Sequence, residues 1–111
     1  MNKIIQRGKV LNKAPLAQIV KIILSYKKAK KIILFGSRAK NTFRDISDID
    51  IAILDKEWSD RDINIIKHRL EEYVKTPLKF DIVNFYSLAK EKLKRNILKE
   101  GRVIYESGKN Q

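Results

Sequence analysis

Residues 32–54 read IILFGSRAKNTFRDISDIDIAIL, and this stretch decides the fold. An apolar run (Ile32, Ile33, Leu34, Phe35) leads into Gly36-Ser37. Ten residues later come Asp48-Ile49-Asp50 and a second apolar run, residues 51–54. Two short apolar runs bounded by turn residues predict neighbouring buried strands. The link between them is too short for a helical crossover, so the two strands are expected to be antiparallel. Side chains at i and i+2 of a strand share a face, which sets Asp48 beside Asp50, roughly 7 Å apart at Cα. Ile49, Ile51 and Ile53 take the other face, a β-branched stripe suited to a core. Paired carboxylates repel unless a cation sits between them. Hard oxygen donors on a rigid strand suit Mg²⁺, which takes one or two carboxylates plus phosphate oxygens. Gly36 lets backbone approach a ligand closely, and a helix start at Ser37-Arg38 would offer N–H groups to an anion. A phosphate cradle and a metal site are thus expected side by side.

The run FGSRAKNTFRDISDID resembles the signature of the DNA polymerase β-like nucleotidyltransferase superfamily, in its minimal nucleotidyltransferase branch. That signature is Gly-Ser, ten residues, Asp-x-Asp, and a third carboxylate on a later strand. The candidate for the third is Asp81 in LKFDIV, thirty-one residues after Asp50. The resemblance is strong over about residues 30–85. Asn41 departs from it, standing where the family usually has glycine, and Asn tolerates the left-handed conformation.

The rest of the chain bounds the reading. At 111 residues this is expected to be one small domain, residues 1–111, with residues 107–111 a flexible tail. There is no cysteine, which excludes a disulfide framework and thiolate chemistry. No apolar run approaches the ~18 residues of a membrane span, and the first ten residues lack a signal peptide's apolar region. A cytoplasmic protein is the expectation. The net charge of +12 suits nucleic acid, nucleoside triphosphate or an acidic partner. The lysines are spread along the chain, however, and read first as composition.

A helix is expected to start near Pro15, with Leu16, Ile19, Val20, Ile23 and Leu24 on one face and Lys27, Lys28, Lys30 and Lys31 closing it. A second helix is capped by Ser59 or Asp60, buries Ile63, Ile66, Leu70 and Val74, and ends before Thr76-Pro77. A strand over residues 78–85 carries Asp81. Ser87 is expected to cap a last helix with Leu88, Leu93, Ile97 and Leu98 as its apolar positions and Gly101 as its terminator, before an edge strand over residues 102–105. Trp58 and Tyr73 read as packing residues. Strands alternating with helices predict an α/β (α+β) layer, a small mixed sheet with helices mainly on one face, in agreement with the fold that the resemblance implies.

The resemblance also implies a mechanism. Asp48, Asp50 and Asp81 would hold two Mg²⁺ ions at which the α-phosphorus of ATP is attacked, with Asp81 serving also as general base. Gly36 and Ser37 would hold the outer phosphates, and Arg38 is a further contact candidate. Only thirty residues follow Asp81, too few for the acceptor-binding domain of larger relatives. Minimal nucleotidyltransferases resemble antitoxins that attach AMP to a tyrosine of a HEPN-domain ribonuclease toxin, which makes such a protein the expected acceptor and a homo- or hetero-oligomer the expected assembly. The alternatives are a silent binding module and a transferase acting on RNA or a small molecule. A ribonuclease built on Arg61 and His68 is disfavoured, because no His-x-Tyr follows.

Overall fold

A computed structural model describes residues 7–36, 49–74 and 79–108, with backbone alone for residues 7–15. Its elements are α1 (Arg7–Tyr26), β1 (Lys31–Phe35), β2 (Ile49–Leu54), α2 (Asp60–Tyr73), β3 (Phe80–Asn84), a 3-10 turn (Phe85–Ser87), α3 (Glu91–Glu100) and β4 (Arg102–Glu106). The four strands form one sheet in the order β3-β2-β1-β4. β1 runs antiparallel to β2 and β4, whereas β2 and β3 are parallel, joined across α2. The sheet is therefore mixed, the expected α+β layer, and the last strand is an edge strand as its position suggested.

Alternation along the strands builds two cores. Ile32 and Leu34 of β1, Ile49, Ile51 and Ile53 of β2, and Phe80 and Ile82 of β3 face one side. There they meet Ile19 and Ile23 of α1 and Ile63, Ile66 and Leu70 of α2. The opposite face carries Ile33, Ala52, Leu54 and Phe85 against Ile97 of α3, with Phe35, Val83 and Leu93 half-buried beside them. Among the described residues, α1 and α2 thus cover one face, and α3 covers part of the other.

Side-chain hydrogen bonds fix how the helices enter. Ser59 caps α2 and receives the N–H of Asp62, while Asp62 receives the N–H of Ser59, a full capping box. The same carboxylate accepts from Lys27 Nζ at 2.9 Å and Tyr26 Oη at 2.5 Å, tying the end of α1 to the start of α2. These contacts, led by Lys27 and followed by the Ser59 N–H and Tyr26, hold Asp62 well below the usual carboxylate range. Asp55, buried after β2, accepts from the backbone N–H of Lys30 and Glu57 and so clamps the α1–β1 connection. Trp58 is buried and donates to the carbonyl of Lys28, the packing role expected of it.

Several expectations are corrected. α1 begins at Arg7, so Pro15 lies inside it rather than at its start. The proline costs a backbone bond, but packing of Ile19 and Ile23 anchors the helix beyond it. The lysines expected to close α1 lie after its last residue: Lys27 pairs with Asp62, and Lys31 is in β1 opposite Glu106. β3 ends at Asn84, and Ser87 belongs to the 3-10 turn; α3 starts after Lys90 without a side-chain cap. Leu98 and Tyr73 are exposed. Gly101 does end α3, but with φ −72 it is extended. A β-carbon there would collide with Ile97 O and Ile33 Cγ2, so close approach, not a left-handed turn, demands the glycine. Thr76-Pro77 and residues 109–111 of the expected tail lie outside the described residues.

Candidate active site

One rung of the sheet gathers the candidate chemistry. Phe35, the last residue of β1, is the cross-strand partner of Asp50 on β2. Asp50 is in turn the register partner of Asp81 on β3. Partners in adjacent strands project to the same face, so Phe35, Asp50 and Asp81 form a row at one end of the sheet. The face is the one covered by α3, because Asp50 alternates with Ile49 and Ile51 of the other core and is in phase with Ala52 and Leu54. Asp50 is half-buried and Asp81 exposed. Neighbouring strands lie about 4.8 Å apart, which brings the two carboxylates within reach of a shared cation.

Gly36 follows directly and adopts φ +78, the left-handed region that favours glycine. Its missing side chain matters for a second reason: a β-carbon on Gly36 would run into the Asp50 carboxylate. The turn therefore leaves Asp50 the space it occupies. Of the residues expected to form the site, the structure brings Gly36, Asp50 and Asp81 together. Ser37, Arg38 and Asp48 lie outside the described residues, as do Lys40, Asn41, Arg44 and Ser47. Among the described residues no group of three His, Cys, Asp or Glu side chains is placed to hold a metal, and the row supplies two carboxylates. Both are hard oxygen donors on rigid strands, and the cradle that a β-carbon would fill preserves one of them, a donor set that fits Mg²⁺. His68 and Arg61 lie exposed on α2, whose buried side packs on the sheet face opposite the carboxylates.

Phe35 was read from sequence only as a strand residue. Its part in the row follows from pairing register, which an apolar run does not disclose. Along the row beyond Phe35 lies a cavity of about 240 Å³, shared with one side of α3. No helical periodicity in the sequence singled out its polar residues.

The chain is 36% identical over 85 residues to "Putative protein adenylyltransferase MJ0604" of Methanocaldococcus jannaschii, covering 68% of this chain and 78% of that protein. A chain in the solved structure of a tri-AMPylated Shewanella oneidensis HEPN toxin in complex with MNT antitoxin superposes with a TM-score of 0.68 at 21% identity, over 89% of this chain and 76% of that one. A chain of a toxin–antitoxin structure with AMP-PNP gives a TM-score of 0.69 at 21% identity, over 86% and 76%. At such identities the two structures speak for the fold. Residues 17–110 match the family described as Polymerase beta, Nucleotidyltransferase. With that match over most of its length, the chain belongs to the polymerase beta nucleotidyltransferase family.

Proposed function

We propose that this protein is a Mg²⁺-dependent adenylyltransferase that moves AMP from ATP to a hydroxyl, a tyrosine of a partner HEPN-domain toxin, and so acts as an antitoxin. The observation that carries the reading is the register pairing of Asp50 with Asp81 beside the left-handed Gly36. It is supported by the Methanocaldococcus relative, named for protein adenylyltransfer, and by the likeness to the fold found with a tri-AMPylated HEPN toxin. ATP as donor is supported by the likeness to a structure holding AMP-PNP.

In this reading Asp48, Asp50 and Asp81 hold the divalent cations. Bound there, Mg²⁺ supplies charge neutralisation for the triphosphate and for the oxyanions that develop at the α-phosphorus. Gly36, Ser37 and Arg38 orient the outer phosphates, which keeps the leaving pyrophosphate in line with the attacking oxygen. Asp81, exposed at the outer end of the row, takes the proton of the acceptor hydroxyl. The acceptor oxygen bonds to the α-phosphorus, the bond from that phosphorus to the bridging oxygen of the β-phosphate breaks, and pyrophosphate departs. A phenolic acceptor suits this step, since its proton is given up near pH 10, far below that of an alkyl alcohol.

The test presents the protein with ATP, GTP, CTP or UTP labelled at the α-phosphorus, Mg²⁺, and either a purified HEPN-domain protein or RNA. Label passing from ATP to the protein acceptor, and lost with Asp50→Asn, is the expected result. Label on RNA alone would replace the protein acceptor with a nucleic acid. Tight partner binding without transfer of any nucleotide would leave a binding module.

A further inference from the structure

The end of the sheet opposite the carboxylate row, where Lys31 of β1 pairs with Leu54 of β2, carries a second concave surface. Two cavities adjoin there, of about 710 Å³ and about 490 Å³, with Lys30, Asp55, Glu57 and Ser107 common to both. The larger is walled by Leu24 of α1, Ala29 and Tyr105, and the smaller by Leu54 and the exposed ring of Tyr86. Lysines stand among these apolar residues, and buried groups pin the backbone that carries them. The Trp58 indole donates to the Lys28 carbonyl at 2.7 Å, and the Lys30 N–H donates to the buried Asp55 carboxylate at 3.0 Å. The Ser107 N–H donates to the Lys30 carbonyl at 2.8 Å. Lys27 pairs with Asp62 and Lys31 with Glu106. Among the described residues, Lys28, Lys30 and Lys56 have no carboxylate partner. All three are exposed, and Lys56 lies 5.6 Å from the centre of the Tyr86 ring.

We propose that this surface docks an acidic segment of a protein partner, its apolar side chains against Leu24, Tyr105 and Tyr86 and its carboxylates on Lys28, Lys30 and Lys56. Three features carry it. Charge is complementary, since three unpaired cations face one exposed carboxylate, Glu57, while Asp55 is spent on backbone N–H groups. The lysine-bearing backbone is already fixed by Trp58, Asp55 and Ser107, which lowers the ordering cost of binding. Finally, each cavity alone has the volume of a small-ligand site, and the two adjoin, which suits an extended segment that crosses both. A nucleic acid fits less well. Its charge repeats at every nucleotide and calls for an unbroken basic track, whereas Glu57, Glu106 and the apolar walls interrupt this one. A peptide sets its carboxylates only where the lysines are. Along β2 the surface stands four residues from Asp50, about 13 Å at the usual strand rise, so a partner held here leaves the carboxylate row open.

The test selects peptides from a random library on the full chain, then measures their equilibrium binding, beside that of a single-stranded RNA oligonucleotide, to the parent and to variants. Lys28→Ala/Lys30→Ala removes two of the docking charges and keeps the backbone bonds of both residues. Lys56→Ala is a second, independent variant. Lys92→Ala/Lys99→Ala, on exposed positions of α3, is the charge-matched control. Selected peptides are expected to combine Asp or Glu with large apolar residues. They should bind the Lys28/Lys30 variant about tenfold more weakly, Lys56→Ala more weakly than the parent, and the control unchanged. Replacing their apolar residues with serine should abolish binding. Peptides weakened equally by the two double variants, or indifferent to loss of their apolar residues, would reduce the effect to net charge and overturn the site. RNA binding that falls in the Lys28/Lys30 variant while peptide binding does not would replace the protein partner with a nucleic acid. A selection that enriches no peptide would overturn the proposal outright. The selection uses neither ATP nor an acceptor, so its result stands whether or not the chain transfers AMP.

Discussion

At the scale of single residues, the site depends on Gly36 and Asp50 sharing one small volume. Gly36→Ala asks an L-residue to hold φ +78 and drives its methyl into the Asp50 carboxylate. It is expected to cost about 1–3 kcal/mol of stability and most of the activity, read by thermal melts and label transfer. Asp50→Asn is expected to lower transfer by on the order of 10³-fold with the melting curve little changed, because the amide fills the same space without the charge. Asp81→Asn, which removes the proposed proton acceptor, should lose about 10²–10⁴-fold. Gly36, Asp50 and Asp81 were legible in the sequence because each is a chemically unusual residue at a strand end. Phe35 was not, since an aromatic closing an apolar run reads as core until its partner across the sheet is known.

At the scale of elements, the α1–α2 corner turns on Asp62, which closes the capping box and binds Lys27 and Tyr26. Ser59→Ala is expected to cost about 1 kcal/mol, a melting shift of roughly 4 °C. The pH dependence follows from the depressed Asp62 carboxyl. A carboxyl lowered by folding stabilises the native state above its unfolded value, near 3.8, and that stability is lost as pH falls through the folded value. Stability of the parent is therefore expected to fall from about pH 5 to pH 3 more steeply than that of Asp62→Asn; parallel curves would show that the corner contributes nothing through this charge. Ser59, Asp62 and the apolar positions of α2 were legible, because capping chemistry and helical spacing coincide there. The end of α3 was less so. Glycine after a helix suggests a left-handed terminator, yet Gly101 is extended and pressed against Ile33. Gly101→Asn is accordingly expected to destabilise at least as much as Gly101→Ala, by about 1–3 kcal/mol, whereas a left-handed site would favour Asn. The start of α1 was illegible because Pro15 marks helix starts more often than interiors, and Val10 and Leu11 before it suit a strand as well as a helix.

At the scale of the molecule, a mixed sheet keeps two separate faces: a deep core under α1 and α2, and a second face that α3 covers only in part. Asp50 and Asp81 lie at the end of that second face which no described helix covers. The architecture was legible from the short link between β1 and β2 and from helix–strand alternation, whereas the side on which α3 would pack was not, since an amphipathic helix fits either face. Trp58 is buried between the α1–β1 connection and α2, and it is the single tryptophan. Its fluorescence and the far-ultraviolet circular dichroism should report one coincident unfolding transition, as one cooperative unit requires. The central claim is that this row of carboxylates transfers AMP. It is tested most directly by offering the protein and a HEPN-domain acceptor two ATP samples in Mg²⁺, one labelled at the α-phosphorus and one at the γ-phosphorus. Acceptor labelled from the α-position only, and unlabelled with Asp50→Asn, is the predicted result. Label from the γ-position, or α-label that persists in Asp50→Asn, would contradict it.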